Sequence, residues 1–185
     1  MVREVRAFLV SGGRFERCLR FVLHEEGGLA DDKADKGGKT NRGVSTPTFN
    51  TAKSRGIIHA SRIEDLTELE VQTIYWSLYW LEPRCYEFPA PLDLLVFDAF
   101  VQHRPGPAAE MIQAAVGTVP DGIIGPKTIA AAHKVDVVAA IERYAYARER
   151  FYRQIAKADP TQVRFLRGWL GRVAEVKTAA LAEVA

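Results

Sequence analysis

The chain has 185 residues, long enough to bury a real core and close to the size of one domain or one domain with a small appendage. Its 48% apolar and 26% charged residues exclude a disordered or fibrous chain. A formal net charge of +2 and a pI near 8.6 demand no nucleic-acid partner, although they would not hinder approach to an anionic polymer.

Before Ser11 the apolar run is Ala7 to Val10, too short for the core of a secretory signal, so the chain is expected to be made in the cytoplasm without one. Phe15, Cys18, Leu19, Val22 and Leu23 then recur at i, i+3, i+4, i+7 and i+8, which predicts an amphipathic helix starting near Ser11 or Gly13 and ending at Gly27-Gly28. From Leu29 to Ser45 the chain is polar and carries Gly37, Gly38 and Gly43, so it reads as irregular or weakly β.

Thr46-Pro47 predicts an N-cap with proline at the first helical position, and Gly56 supplies a stop. Thr67 and Glu70 form a capping box, Leu66 can staple to Val71, and a helix follows from Glu68 to about Leu81 until Pro83 forbids it. Leu92 to Gln102 is apolar nearly all round and predicts a central buried helix. Its most apolar part is interrupted by Asp93 and Asp98 and falls short of the roughly 20 residues that span a bilayer, so no membrane insertion is expected.

Pro107 opens a helix that ends near Gly117, Asp121-Gly122 makes a turn, and Gly125-Pro126 starts a short helix. Asp136 caps a long helix through Tyr144, Phe151 and Ile155. Asp159-Pro160 breaks it before a last helix with Phe165, Leu166, Trp169, Leu170 and Val173. No repeat, low-complexity tract or flexible linker interrupts the chain. The fold class expected is therefore mostly α, with a small irregular or β-like lobe after the first helix. Cys18 and Cys85, the two cysteines, lack metal-ligand or redox spacing, and no disulfide is expected.

At about 100° per residue, Glu26 falls roughly within 20° of the centre of the first helix's apolar stripe, while Glu25 falls to its side. A carboxyl on the apolar side of a helix end is partly desolvated, which raises its pKa and lets it keep a proton near neutrality. The negative end of the helix dipole acts in the same direction. A protonated carboxyl is what glycoside cleavage needs at the leaving oxygen. The bland alternative is a solvated helix end.

Asp31, Asp32 and Asp35 follow in the glycine-bearing segment, where the chain can fold back to face a second carboxylate toward the first. A glycosidase requires such a pair, about 5–5.5 Å apart if retaining and roughly 6.5–9.5 Å if inverting. Thr40 and Asn41 add a hydroxyl and an amide that could hold a water or a sugar. A solvated acidic loop with an Asx-turn at Asp35 is the competing reading. Tyr75, Trp76, Tyr79 and Trp80 offer rings that can stack on sugars, although Tyr75 and Tyr79 at helical spacing also suit a core. Asp98 must find a partner or reach a cleft.

The string Glu26-Gly27-Gly28, Asp32, and Asp35-Lys36-Gly37-Gly38-Lys39-Thr40-Asn41-Arg42-Gly43-Val44 resembles the signature of the N-acetylmuramidases of glycoside hydrolase family 108. The resemblance continues through Tyr75 to Trp80, Val96-Phe97-Asp98-Ala99, His103, Asp121 to Thr128, and Phe165 to Leu170, covering the chain from about Arg14. A looser similarity to phage-type lysozymes aligns Glu26, Asp35 and Asn41-Arg42-Gly43-Val44. The family resemblance implies that Glu26 is the catalytic acid and that Asp32 to Asn41 line the cleft. It leaves open which of Asp32 and Asp35 is the second carboxylate, with the lysozyme register favouring Asp35. Thr40 or Asn41 would position the water, and Tyr79, Trp80, Asp98 and His103 are the substrate-binding candidates. Lys36 departs from a common proline, and Gln102-His103-Arg104 departs from a common asparagine, small residue and glycine, which puts the turn at Arg104 in question.

The resemblance implies a single lysozyme-like muramidase unit over 1–185, with a catalytic part at 14–90 and a helical part at 91–185 resembling a peptidoglycan-binding module. The reaction implied is hydrolysis of the β-1,4 bond between N-acetylmuramic acid and N-acetylglucosamine, with no metal and no organic cofactor. The partner is the peptidoglycan glycan strand, met as a monomer at the wall or in the periplasm after passage through holin lesions or a secretion system. A non-catalytic wall-binding or secretion-accessory protein and a lytic transglycosylase are the alternatives.

Overall fold

The computed structural model describes residues 13–25 and 40–184. The expectations placed on Met1 to Gly12 and on residues 26–39, including the end of the first helix at Gly27-Gly28, lie outside the described residues. The chain divides into two compact units, Met1–Glu82 and Pro83–Ala185.

In the first unit, helix α1 (Arg14–Glu25) buries the stripe that the spacing predicts: Phe15, Cys18 and Val22 have no exposure and Leu19 almost none. Strands β1 (Thr40–Asn41) and β2 (Val44–Ser45) form an antiparallel hairpin with Thr40 opposite Ser45 and Asn41 opposite Val44. The two residues between them, Arg42 and Gly43, both have positive φ (50° and 78°), as a type I′ turn requires. This hairpin is the described part of the expected β-like lobe.

Helix α2 (Thr46–Ser54) starts one residue earlier than the Thr46-Pro47 pattern predicts. Ser45 is the cap, its hydroxyl accepting from the Thr48 N–H at 3.4 Å, and Pro47 sits within the first turn, where no N–H is needed. The capping box does form: Thr67 and Glu70 exchange both bonds at the start of α3 (Glu68–Ile74), and Leu66 and Val71 are both buried. The helix reaches Leu81 as expected, but from Tyr75 to Leu81 it widens into a π-helix, a form the sequence pattern does not announce. A short 3₁₀ turn, Ile63–Asp65, precedes it.

In the second unit, a 3₁₀ turn at Cys85–Glu87 leads to α4 (Leu92–Gln102), in which every residue from Leu92 to Ala99 is buried. That is the all-round apolar helix the composition predicts. Helix α5 (Pro105–Val116) begins at Pro105 rather than Pro107, because Pro105 already supplies the preset φ and the dispensable N–H of a first helical position. Gly117 ends it in the left-handed region at φ 77°.

The following loop is wound around one buried amide. Gln113 donates to the Asp121 carboxylate (2.6 Å) and the Ile123 carbonyl (3.0 Å), and it accepts from the Gly122 N–H (2.9 Å). Helix α6 (Pro126–Ala132) follows Gly125, and α7 (Val137–Ala158) is capped by Asp136 accepting from the Ala139 N–H at 2.8 Å. After a 3₁₀ turn at Pro160–Gln162, α8 (Val163–Ala182) packs along α7. Ala145, Tyr152 and Val173 are the core there, with Phe151, Ile155, Leu166 and Trp169 packed against them. The described residues are mostly helical, as the sequence predicts. Cys18 and Cys85 are both fully buried. No helix among the described residues is long and apolar enough to cross a membrane.

Candidate active site

Glu26, Asp32 and Asp35 lie outside the described residues, as does Asp31. What the structure describes is the framework on either side of them: α1, which runs to Glu25, and β1, which begins at Thr40. Both are well fixed. The buried stripe holds α1 against the π-helix, with the Phe15 ring edge-on to Trp76 at 4.9 Å and to Trp80 at 5.6 Å. The hairpin is tied down by Asn41, whose Nδ2 donates to the Ile63 carbonyl at 2.7 Å.

Asn41, a candidate for positioning water or sugar, thus also holds the hairpin to the 3₁₀ turn. Thr40 lies on the same strand, paired with Ser45. From Ser45 a chain of hydroxyls runs across the unit: Ser45 Oγ lies 3.1 Å from Thr48 Oγ1, which lies 3.0 Å from the Tyr79 hydroxyl. The half-buried Tyr79 therefore links the π-helix to the start of α2.

Trp80 does not fit the sugar-stacking role expected for it. Its ring is 1% exposed, stacked on Trp76 at 6.3 Å, and a sugar has no face of it to meet. Trp76 is the half-buried member of the pair. Sequence spacing places Trp76 and Trp80 on one helical face but cannot rank their exposure, and Phe15, which covers Trp80, comes from an element 65 positions away by the numbering.

In the second unit, Asp98 takes the partner rather than the cleft. It is fully buried, one oxygen paired with the equally buried Arg148 and the other accepting from Arg172 Nε (3.0 Å) and Nη2 (2.7 Å). Substrate contact is corrected to a structural role, since both carboxylate oxygens are occupied inside the unit. Arg148 also donates to the Tyr144 hydroxyl at 3.1 Å and lies 3.4 Å from that of Tyr152. Burial alone would push the Asp98 carboxyl up, but the Arg148 and Arg172 guanidinium groups outweigh it and hold it below the usual range. Burial pushes the Tyr144 phenol up, so it stays neutral.

His103 joins the edge of this cluster, with Nε2 3.2 Å from the Tyr152 hydroxyl and its ring edge-on to Phe151 at 5.2 Å. Its placement is that of a packing residue rather than a sugar ligand. Burial and then the Arg148 charge push its imidazole from 6.5 down to about 3. Arg104 sits at φ −60°, ψ 151°, an ordinary extended conformation, so the departure from glycine strains nothing in that turn.

The His103 shift has a thermodynamic consequence. Between pH 6.5 and about 3 the unfolded chain takes up a proton that the folded imidazole refuses, so the stability is present above 6.5 and is lost as the pH falls below it. At roughly 1.4 kcal/mol per pH unit, denaturant unfolding at pH 5 should show about 2 kcal/mol less stability than at pH 7.5 from this residue. His103→Gln should remove that part of the slope.

Among the described residues no three His, Cys, Asp or Glu side chains converge as metal ligands would. The described residues form two helical units, the first carrying the β1–β2 hairpin. The family model for glycosyl hydrolase 108 matches residues 19–103, and one described as a predicted peptidoglycan domain matches residues 107–174. The solved structure of Brucella abortus SagA is similar at 31% identity, with a TM-score of 0.79, covering 93% of this chain and 96% of that one. No curated protein matches. The chain belongs to glycosyl hydrolase family 108 and is an N-acetylmuramidase-type glycoside hydrolase that acts on the peptidoglycan of the cell wall.

Proposed function

We propose that the chain hydrolyses the β-1,4 bond between N-acetylmuramic acid and N-acetylglucosamine, with Glu26 as general acid and Asp35 or Asp32 as the second carboxylate. The observation that carries the reading is the buried stripe of α1, because in sequence Glu26 follows Val22 by four residues, Leu19 by seven and Cys18 by eight, the spacing that would continue that stripe.

The chemistry follows from two carboxyl groups in different states. The Glu26 carboxyl delivers its proton to the glycosidic oxygen, and the bond from that oxygen to the anomeric carbon breaks. The ionised aspartate either meets the positive charge developing on the sugar or takes a proton from the water that attacks it. Water supplies the hydroxyl on the new N-acetylmuramic acid end, and one proton returns to restore the starting carboxyls. Half-buried Trp76 and Tyr79 on the π-helix are the described aromatic groups best suited to meet a sugar ring.

Muropeptide mass spectrometry on purified peptidoglycan tests the proposal. Soluble fragments ending in reducing N-acetylmuramic acid are expected. Sedimentation with the wall and no released fragment would sink the catalytic reading in favour of a binder.

A further inference from the structure

An open groove of about 510 Å³ runs between α5 and α7 in the second unit, within the size range of sites for small ligands. Each wall is one helical stripe. Glu110 and Met111 line it from α5, and Arg143, Tyr146, Ala147 and Arg150 recur on α7 at i, i+3, i+4 and i+7. Met111 is buried at the floor, whereas Tyr146 is 70% exposed, an unusual state for a tyrosine on a core-packed helix.

Two guanidinium groups stand on one wall. Arg143 is fixed by donating Nε to the Ala115 carbonyl at 2.8 Å, and this leaves its terminal nitrogens available. Arg150 is exposed and has no acidic partner among the described residues. On the other wall Glu110 is exposed and likewise unpaired among them. A ligand matched to this arrangement carries carboxylates on one side and an amine on the other, with small apolar groups between them to lie on Met111, Ala147 and the Tyr146 ring.

We propose that this groove binds the acidic stem peptide of peptidoglycan, an inference that rests on the reading of the chain as a peptidoglycan hydrolase. The glycan strand offers sugar hydroxyls and acetamido groups. Carboxylates and an amine spaced along small residues belong to the peptide. All the lining residues, Pro107 through Gln154, fall within the segment that matches the peptidoglycan domain. The groove would hold the peptide of one disaccharide unit of the wall.

The test is calorimetric titration of the full chain with a stem tetrapeptide released from the glycan by amidase, run beside a wall-digestion assay. Wild type should bind, and Arg150→Glu and Tyr146→Ala, both at exposed positions, should each raise Kd by about tenfold or more. Lys134→Glu, an equal charge reversal at an exposed residue outside the groove, should bind as wild type does. If wild type digests the wall but does not bind the tetrapeptide, or if Arg150→Glu and Lys134→Glu bind alike, the proposal is overturned and the hydrolase reading stands. If the tetrapeptide binds in the groove but no wall is digested, the peptide site stands and the hydrolase reading falls.

Discussion

Glu26→Gln is expected to lower the rate of peptidoglycan solubilisation by about 10²–10⁴-fold, the usual contribution of a positioned general acid, while the unfolding midpoint stays that of wild type. Glutamine matches the size of glutamate and keeps a carbonyl acceptor, so packing should be little disturbed. Its amide cannot give up a proton to a departing glycosidic oxygen. The proposed role requires the Glu26 carboxyl to hold a proton near neutrality, as partial desolvation beside an apolar stripe and the negative end of a helix dipole would favour. Glu25→Gln is the matched control and should retain activity, since a step of about 100° per residue puts position 25 to the side of the stripe. Turbidity loss of a wall suspension, with thermal unfolding of both variants, separates a missing proton from a missing fold.

The second large effect is on stability. Asp98→Ala should cost about 3–5 kcal/mol, because it strands the buried Arg148 charge and removes the two hydrogen bonds that Arg172 donates to Asp98. Tyr144 and Tyr152 would be left as the hydroxyl neighbours of Arg148, too weak to replace a carboxylate. The loss reads directly in chemical denaturation at pH 7.5. Asp98→Ala together with Arg148→Met should recover part of it, as the uncompensated charge is then gone. A single-variant loss below 1 kcal/mol would mean that the pair carries no net weight in the fold.

Local chemistry was legible in the sequence wherever one short segment decides the outcome. The Thr67 and Glu70 capping box, the Asp136 cap and the unbroken apolar run of Leu92 to Gln102 each depend on neighbours within a few residues, and each forms where the pattern places it. Ser45 displaced Thr46 as a cap because both hydroxyls suit the role and the hairpin, closing at Asn41 and Val44, settles which is used. The π-helix at Tyr75–Leu81 has no glycine or proline to announce it, so aromatic faces within it could not be ranked from spacing.

The candidate site was less legible, and for a different reason. Asp98 meets Arg148 fifty positions later and Arg172 seventy-four later, so no local pattern could show that its charge was satisfied. Trp80 is shielded in part by Phe15 from α1, again a long-range contact. The roles of Glu26, Asp32 and Asp35 rest on register and family, with α1 and β1 as their fixed neighbours.

Muropeptide mass spectrometry of wild-type and Glu26→Gln digests, run side by side on the same purified peptidoglycan, tests the central claim most directly. Fragments with reducing N-acetylmuramic acid ends are expected from wild type, and roughly a hundredfold fewer, or fewer still, at matched times from the variant. Equal digestion by both proteins, or fragments ending in the anhydro sugar, would contradict it.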